Sequence, residues 1–270
     1  RTADAPPRGA GDPRLFIPLH DANSLRHIKL QYVTLGLIAG NILVFLFTSL
    51  GTDEFAAATA YGLGFIPSVA FGAIDLPQSL QLVPDNATYL TYAFLHADIF
   101  HLGGNMVFLW VFGDNVEDAM GHLRFLVFYL LCAIGAAAFH GFVAPASQVP
   151  LIGASGAIAG VVSAYLLLHP RVKIWVLAFA RIPLRLPAWV VLTLWISFQL
   201  FMFLVGGEEQ VSWACHIGGI VTGAVLLPLL KRRGVPLFDR EVVTPRAALV
   251  EQTSAVRPMT HAPPPRWGRQ

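Results

Sequence analysis

The sequence predicts an all-α polytopic membrane protein folded as a bundle of six transmembrane helices. Three observations lead there. Of the 270 residues 55% are hydrophobic and only 13% charged, where a soluble domain has about 25% charged. The apolar residues gather into six stretches of membrane-helix character. The basic residues are sorted to one side of the resulting topology.

Residues 1–29, beginning at Arg1, are polar and broken by Pro6, Pro7, Gly9, Gly11 and Pro13. They read as a largely flexible cytoplasmic lead, unlike a cleavable signal peptide, with Phe16-Ile17-Pro18-Leu19 resting on the membrane surface. The membrane domain covers residues 30–230. Span one runs from about Gln31 to Leu50. An outer loop, 51–99, follows; its apolar patches, broken by Gly, Pro and Asp, predict short helices partly embedded at the interface. Span two covers about Phe100–Gly113 and span three about Leu123–Val143. Span four starts near Ser155 and is stopped by His169-Pro170-Arg171. Residues 171–186 mix basic and apolar side chains, as a connection skimming the interface does. Span five covers about Leu186–Val205 and span six about Val211–Leu230, ending at the headgroup anchor Lys231-Arg232-Arg233. Residues 231–270 read as a cytoplasmic, Pro-rich, disordered tail.

Six spans with the N-terminus inside put all eighteen Lys and Arg on the inner segments. The outer segments carry Asp53, Glu54, Asp75, Asp85, Asp98, Glu208 and Glu209 instead. This positive-inside bias predicts both termini cytoplasmic. The expected location is a bacterial cytoplasmic (inner) membrane. The lipid bilayer is a partner; nucleic acid is not, since the basic residues mark span ends.

Ionisable and polar groups inside spans are expensive and usually functional. Four stand out: His101 and Asn105 in span two, Ser155 heading span four, and His216 in span six. Ser155 to His169 is fourteen steps, or about 21 Å of helix, and so is His216 to Leu230. Spans two, four and six run in the same direction, so Ser155, His216 and His101 fall about 10 Å below the outer surface of a core about 30 Å thick. Asn105 lies one turn below His101 on the same face. A serine hydroxyl needs a base, usually histidine, and acyl transfer needs donors for the developing oxyanion. His101, Asn105 and the Ser155 backbone N–H are candidates. No Asp or Glu lies at this depth, so a serine hydrolase here would be a Ser–His dyad. Gly153, Gly156 and Gly160 around the serine, and Gly219 and Gly223 after the histidine, allow two helices to approach closely.

These pieces resemble the rhomboid family of intramembrane serine proteases. The matching motifs are Phe94-Leu95-His96, His101-Leu102-Gly103-Gly104-Asn105-Met106, Gly113 with Glu117 and Gly121, Gly153-Ala154-Ser155-Gly156, and Ala214-Cys215-His216-Ile217-Gly218-Gly219 with Gly223. Together with Phe16–Asp21 they span about residues 16–230. The resemblance implies a six-transmembrane-helix rhomboid-like bundle and an endopeptidase cutting transmembrane substrate helices near the outer membrane face. It makes Ser155 the nucleophile and His216 the general base, with His101 and Asn105 in the oxyanion site. It also implies a gate near span five. Many members carry an aromatic residue four positions after the serine that packs on the histidine; here that residue is Ala159. Trp213 or Phe198 would have to hold His216 instead.

Other polar residues read as structural. His96 anchors the outer loop near Asp98, His122 and His140 are interfacial, His169 caps span four, and Glu117 packs or hydrogen-bonds. Cys132 and Cys215 are apolar packing residues, and Cys215 points about 100° away from His216. Gly113-Asp114 resembles an aspartyl-protease motif only faintly, with no second intramembrane Asp, and no His-Glu-x-x-His zinc motif is present. No metal or cofactor is expected. Two rival classes are a catalytically silent rhomboid-like binder, which would typically lack the serine or the histidine, and a small-solute transporter, which would show inverted repeats.

Overall fold

The computed structural model describes residues 16–21, 23–178, 182–206 and 213–239. The chain is mostly helical. Strand β1 (Phe16–Asp21) precedes α1 (Tyr32–Ser49), α2 (Asp53–Leu63), the single turns α3 (Pro67–Ala70) and α4 (Thr88–Thr91), α5 (Ile99–Met120), α6 (His122–Val143) and α7 (Ser155–Leu168). Strands β2 (Lys173–Ala178) and β3 (Ile182–Pro187) follow, then α8 (Ala188–Val205) and α9 (Trp213–Leu230). Among the described residues four helices, α1, α6, α8 and α9, are long and apolar enough to cross a membrane. Helix α7 is apolar but only 14 residues long. Helix α5 has 22 residues, and its last two turns carry Asp114, Glu117 and Asp118. Gly121, at φ +85°, then turns the chain directly into α6.

Helix α7 is the axis of the bundle. Eleven of its 14 residues are buried, so neighbours surround it on nearly every side. By contrast α1 buries only Thr34, Leu37 and Asn41, and its outward apolar face is suited to lipid. The close approach of α6, α7 and α9 depends on small residues. A Cβ at Gly156 would lie 2.5 Å from Cys215 Sγ and 2.7 Å from Ala136 Cβ. A Cβ at Gly219 would meet the Gly156 carbonyl, and one at Gly223 the Gly160 carbonyl. Cys132 and Cys215 are both buried in the packed bundle, and Cys215 Sγ lies 3.8 Å from the Tyr92 hydroxyl.

A small sheet departs from the all-α expectation. β1 pairs antiparallel with β2 from Phe16↔Ala178 to Asp21↔Ile174, with an irregularity between Pro18 and His20. β2 pairs antiparallel with β3 from Lys173↔Pro187 to Ala178↔Ile182. The segment expected to skim the interface is therefore a hairpin, and the Phe16–Leu19 stretch of the lead, expected to rest on the membrane surface, lies in the third strand beside it. The reason is period-two alternation: Ile174 and Val176 are buried while Lys173 and Trp175 face outward. The start of the expected tail is also ordered. Phe238 N–H donates to Leu167 O at 2.7 Å and Asp239 N–H to Leu168 O at 2.9 Å. Residues 1–15 and 240–270 of the expected lead and tail lie outside the described residues.

The outer loop is packed, and it sets up the start of α7. Thr52 caps α2, accepting from Phe55 N–H at 3.2 Å. Phe65 and Leu151 exchange two backbone hydrogen bonds, of 3.1 and 2.8 Å. Tyr92 donates its hydroxyl to Ala133 O at 2.8 Å, and its own carbonyl accepts from Gly153 N–H at 3.0 Å. That last bond fixes the chain two residues before Ser155.

Candidate active site

Ser155 is the first residue of α7. Ala154 precedes it with no side-chain cap, so the serine hydroxyl is free of capping duty at a helix end rich in unpaired N–H groups. Gly153 holds φ +120°, and a Cβ there would lie 2.7 Å from His101 Cε1 and Nε2 and 3.8 Å from Asn105 Nδ2. Only glycine fits this position, on conformation and on space. The same contacts put the His101 and Asn105 side chains against the chain leading into Ser155. Asp98 directs the first turn of α5 by accepting from Phe100 N–H at 2.7 Å and His101 N–H at 2.9 Å.

Ser155 Oγ lies 2.9 Å from His216 Nε2, across the glycine-lined contact between α7 and α9. His216 Nδ1 lies 2.8 Å from Oε1 of Gln199 on α8, which is only 4% exposed. An imidazole with its proton on Nδ1 donates to that amide oxygen and leaves Nε2 to accept from Ser155. Of the two aromatic residues considered for holding His216, Trp213 meets its ring edge-on at 6.0 Å. Phe198 packs on Trp213 at 5.7 Å instead. Trp195 adds a tilted contact with His216 at 6.4 Å. Ala159 is fully buried, 3.4 Å from where a Gly219 Cβ would sit. Helices α7 and α9 touch at that level.

The sequence reading missed two participants. Gln199 carries the only side-chain amide in α8, whose other polar side chains are the hydroxyls of Thr193 and Ser197, and that intramembrane amide was its signal. His96, read as a loop anchor, hydrogen-bonds Asn105 Nδ2 through Nε2 at 2.9 Å and stacks edge-on with His101 at 5.0 Å. Burial lowers the His96 pKa to about 4, so its ring is neutral near pH 7 and Nε2 can accept from the amide. Among the described residues, no three His, Cys, Asp or Glu gather where a metal could bind. A cavity of about 570 Å³ lies far from Ser155, at the basic end, lined by Arg124, Pro228, Leu229, Lys231, Arg232 and Arg233.

The arrangement is that of a hydroxyl, a base and an orienting acceptor in series, beside two side chains able to donate. A family model for the rhomboid domain matches residues 85–233. The chain is 28% identical over 154 residues to RHOMBOID-like protein 12, mitochondrial, of Arabidopsis thaliana, covering 51% of this chain and 44% of the relative. It is 29% identical over 180 residues to Rhomboid protein 1, mitochondrial, of Saccharomyces cerevisiae, covering 61% and 51%. It is 34% identical over 156 residues to Rhomboid protease GluP of Bacillus subtilis, covering 57% and 28%. The chain spans about half the length of the first of these relatives. The mitochondrial plant and yeast relatives overturn the expectation of a bacterial inner membrane; what stands is a membrane protein.

Proposed function

The chain belongs to the rhomboid family, and from that premise we propose that it is an intramembrane serine endopeptidase acting on transmembrane helices. In this reading α5 and α7 join the four longer apolar helices to make six spans. The site then lies toward the side of the acidic loops, below the membrane surface. The observation that carries the reading is the 2.9 Å contact of Ser155 Oγ with His216 Nε2.

The chemistry runs in two acyl-transfer steps. Ser155 Oγ attacks the peptide carbonyl carbon while its proton passes to His216 Nε2. The carbonyl oxygen becomes an oxyanion, met by the Ser155 N–H and the side chains of His101 and Asn105. The C–N bond breaks, the leaving nitrogen takes the proton from Nε2, and an acyl-enzyme ester remains. Water then attacks the ester, giving a proton to Nε2. The tetrahedral species collapses to the carboxylic acid, and the proton returns to Ser155 Oγ. A substrate helix must unwind locally to expose its amide, so helix-breaking and small residues are the expected preference near the cut.

The test is to purify the protein in detergent and offer a transmembrane substrate. Cleavage by wild type and none by Ser155→Ala is expected. Equal cutting by both, or by neither, would sink the reading. A catalytically silent binder has no use for an aligned serine and histidine, and the contact between them counts against that rival.

A further inference from the structure

The aromatic residue that packs on the histidine in many rhomboids is Ala159 here, and among the described residues no carboxylate bonds His216. We propose that Gln199 is the positioning residue of the dyad, holding His216 in the Nδ1–H tautomer through a neutral amide oxygen. The proposal rests on the reading of Ser155 as nucleophile and His216 as base.

Helix α8 is otherwise a peripheral apolar helix. Its buried residues are Ala188, Val191, Leu192 and Gln199, which fall on one face at helical spacing. Gln199 therefore sits on the stripe that α8 turns toward the bundle, and Trp195 lies between it and Leu192 on that stripe. One face of one helix thus supplies both an acceptor for Nδ1 and a ring against the imidazole.

A buried amide in a membrane helix needs a partner, and satisfying one is the bland use of a histidine. The geometry here is more specific. The amide presents its oxygen, an acceptor, at 2.8 Å from Nδ1, and the opposite ring nitrogen faces the serine. An acceptor at Nδ1 requires the ring proton there, which leaves Nε2 unprotonated and able to take the Ser155 proton. An imidazole in the other tautomer would meet the serine with an N–H, and a flipped ring would meet it with a C–H; neither could act as its base. The third group of a hydrolytic triad performs this orienting task with a carboxylate. Gln199 performs it without placing a charge in a low-dielectric site.

The test compares wild type, Gln199→Met, Gln199→Glu and Ser155→Ala in detergent. Gln199→Met keeps the length and removes the acceptor. It is expected to slow fluorophosphonate labelling of Ser155 by about 100-fold, and to lower kcat on a transmembrane substrate with KM unchanged. Gln199→Glu keeps an acceptor oxygen and is expected to label within about tenfold of wild type. Nitrogen-15 NMR of histidine-labelled protein reads the tautomer directly: protonated Nδ1 in wild type and Gln199→Glu, a mixture in Gln199→Met. If thermal melting shows Gln199→Met unfolded, Gln199→Asn replaces it, since the shorter amide withdraws the oxygen. The proposal is overturned if His216 keeps the same tautomer without the acceptor, or if the Glu variant labels as slowly as the Met variant. A wild type that labels no faster than Ser155→Ala overturns the hydrolase reading instead, and the NMR comparison still decides the role of Gln199.

Discussion

Helix α5 carries polar groups at both ends, and the two ends use them differently. At the basic end, Glu117 is fully buried and accepts from Val33 N–H at 3.0 Å, Thr34 N–H at 2.8 Å and the Thr34 hydroxyl at 2.7 Å. Its other contact is His122 Nδ1 at 2.5 Å. Asp118 accepts from the N–H groups of Arg26, His27 and Ile28 at 3.0, 2.6 and 2.7 Å. Helix α1 has no side-chain cap of its own; α5 supplies one from across the chain. At the opposite end the groups are Ser155, His216, Gln199, His101 and Asn105. They include no carboxylate, and Ser155 and His216 are partly exposed. The basic end spends its acceptors on backbone N–H groups that the fold would otherwise leave unpaired. The serine end pairs side chain with side chain, Ser155 with His216, His216 with Gln199 and Asn105 with His96, and in the proposed reading those same groups serve a substrate.

That contrast can be broken or sharpened by measurement. The largest expected effect is on chemistry alone: Ser155→Ala should reduce substrate cleavage by about 10⁶-fold while leaving the melting temperature within a few degrees, about 1 kcal/mol or less. Cleavage surviving in that variant would remove the functional half of the comparison. Next, Glu117→Ala should do the reverse. It strands buried donors and should cost about 3–5 kcal/mol in an unfolding titration, with any protein that remains folded still labelled at Ser155. Gly219→Val should couple the two ends of the scale, since its side chain would overlap the Gly156 carbonyl and push α9 from α7. A stability loss of about 1–3 kcal/mol together with a roughly 100-fold loss in rate is expected; unchanged labelling would show that the glycine contact does not set the dyad distance.

Asn105→Ala should lower kcat by about 100-fold through loss of an oxyanion donor, at a cost of about 1 kcal/mol in stability. A change in stability without a change in kcat would reassign it to the structural class. The smallest effect is a pH dependence at the basic end. Burial raises the Asp21 pKa to about 6, although Asn115 Nδ2 at 2.8 Å and the Tyr165 hydroxyl at 2.7 Å both donate to it. An unfolded Asp titrates near about 3.9, so between those values the folded chain holds the extra proton. Its contribution to stability is therefore present below about pH 4 and lost as pH rises through about 6. Relative to wild type, Asp21→Asn should flatten the melting temperature across that window. An identical pH profile in both would show that β1 is not held through this carboxyl.

Much of the bundle was legible because hydrophobicity and charge are local properties. Span four was read from Ser155 to a stop at His169, and α7 has those bounds. The reading of span two stopped at Gly113, short of the seven further residues to Met120. Asp114, Glu117 and Asp118 look incompatible with a continuing apolar helix. They are accommodated because residues 21–34, distant in sequence, supply their donors. The hairpin was missed for a related reason: its alternation covers only a few residues, and the strand that completes the sheet lies some 150 positions earlier. Gln199 was passed over because one amide in an apolar helix does not announce its partner.

Composition, the positions of Lys and Arg, and the motifs around Ser155 and His216 were enough to establish a membrane protein of the rhomboid family. Membrane insertion and helix packing read those features directly from neighbouring residues. How His216 is oriented was decided only by the tertiary structure. The sequence left Trp213 and Phe198 as alternatives. Packing of α8 against α9 brings Gln199 Oε1 within 2.8 Å of the ring. At position 159 the chain has a buried methyl in place of a ring. A hydrogen bond between Gln199 and His216, seventeen positions apart on two helices, depends on the rotation and separation of those helices, and those are set by the glycines and ring contacts of the whole bundle.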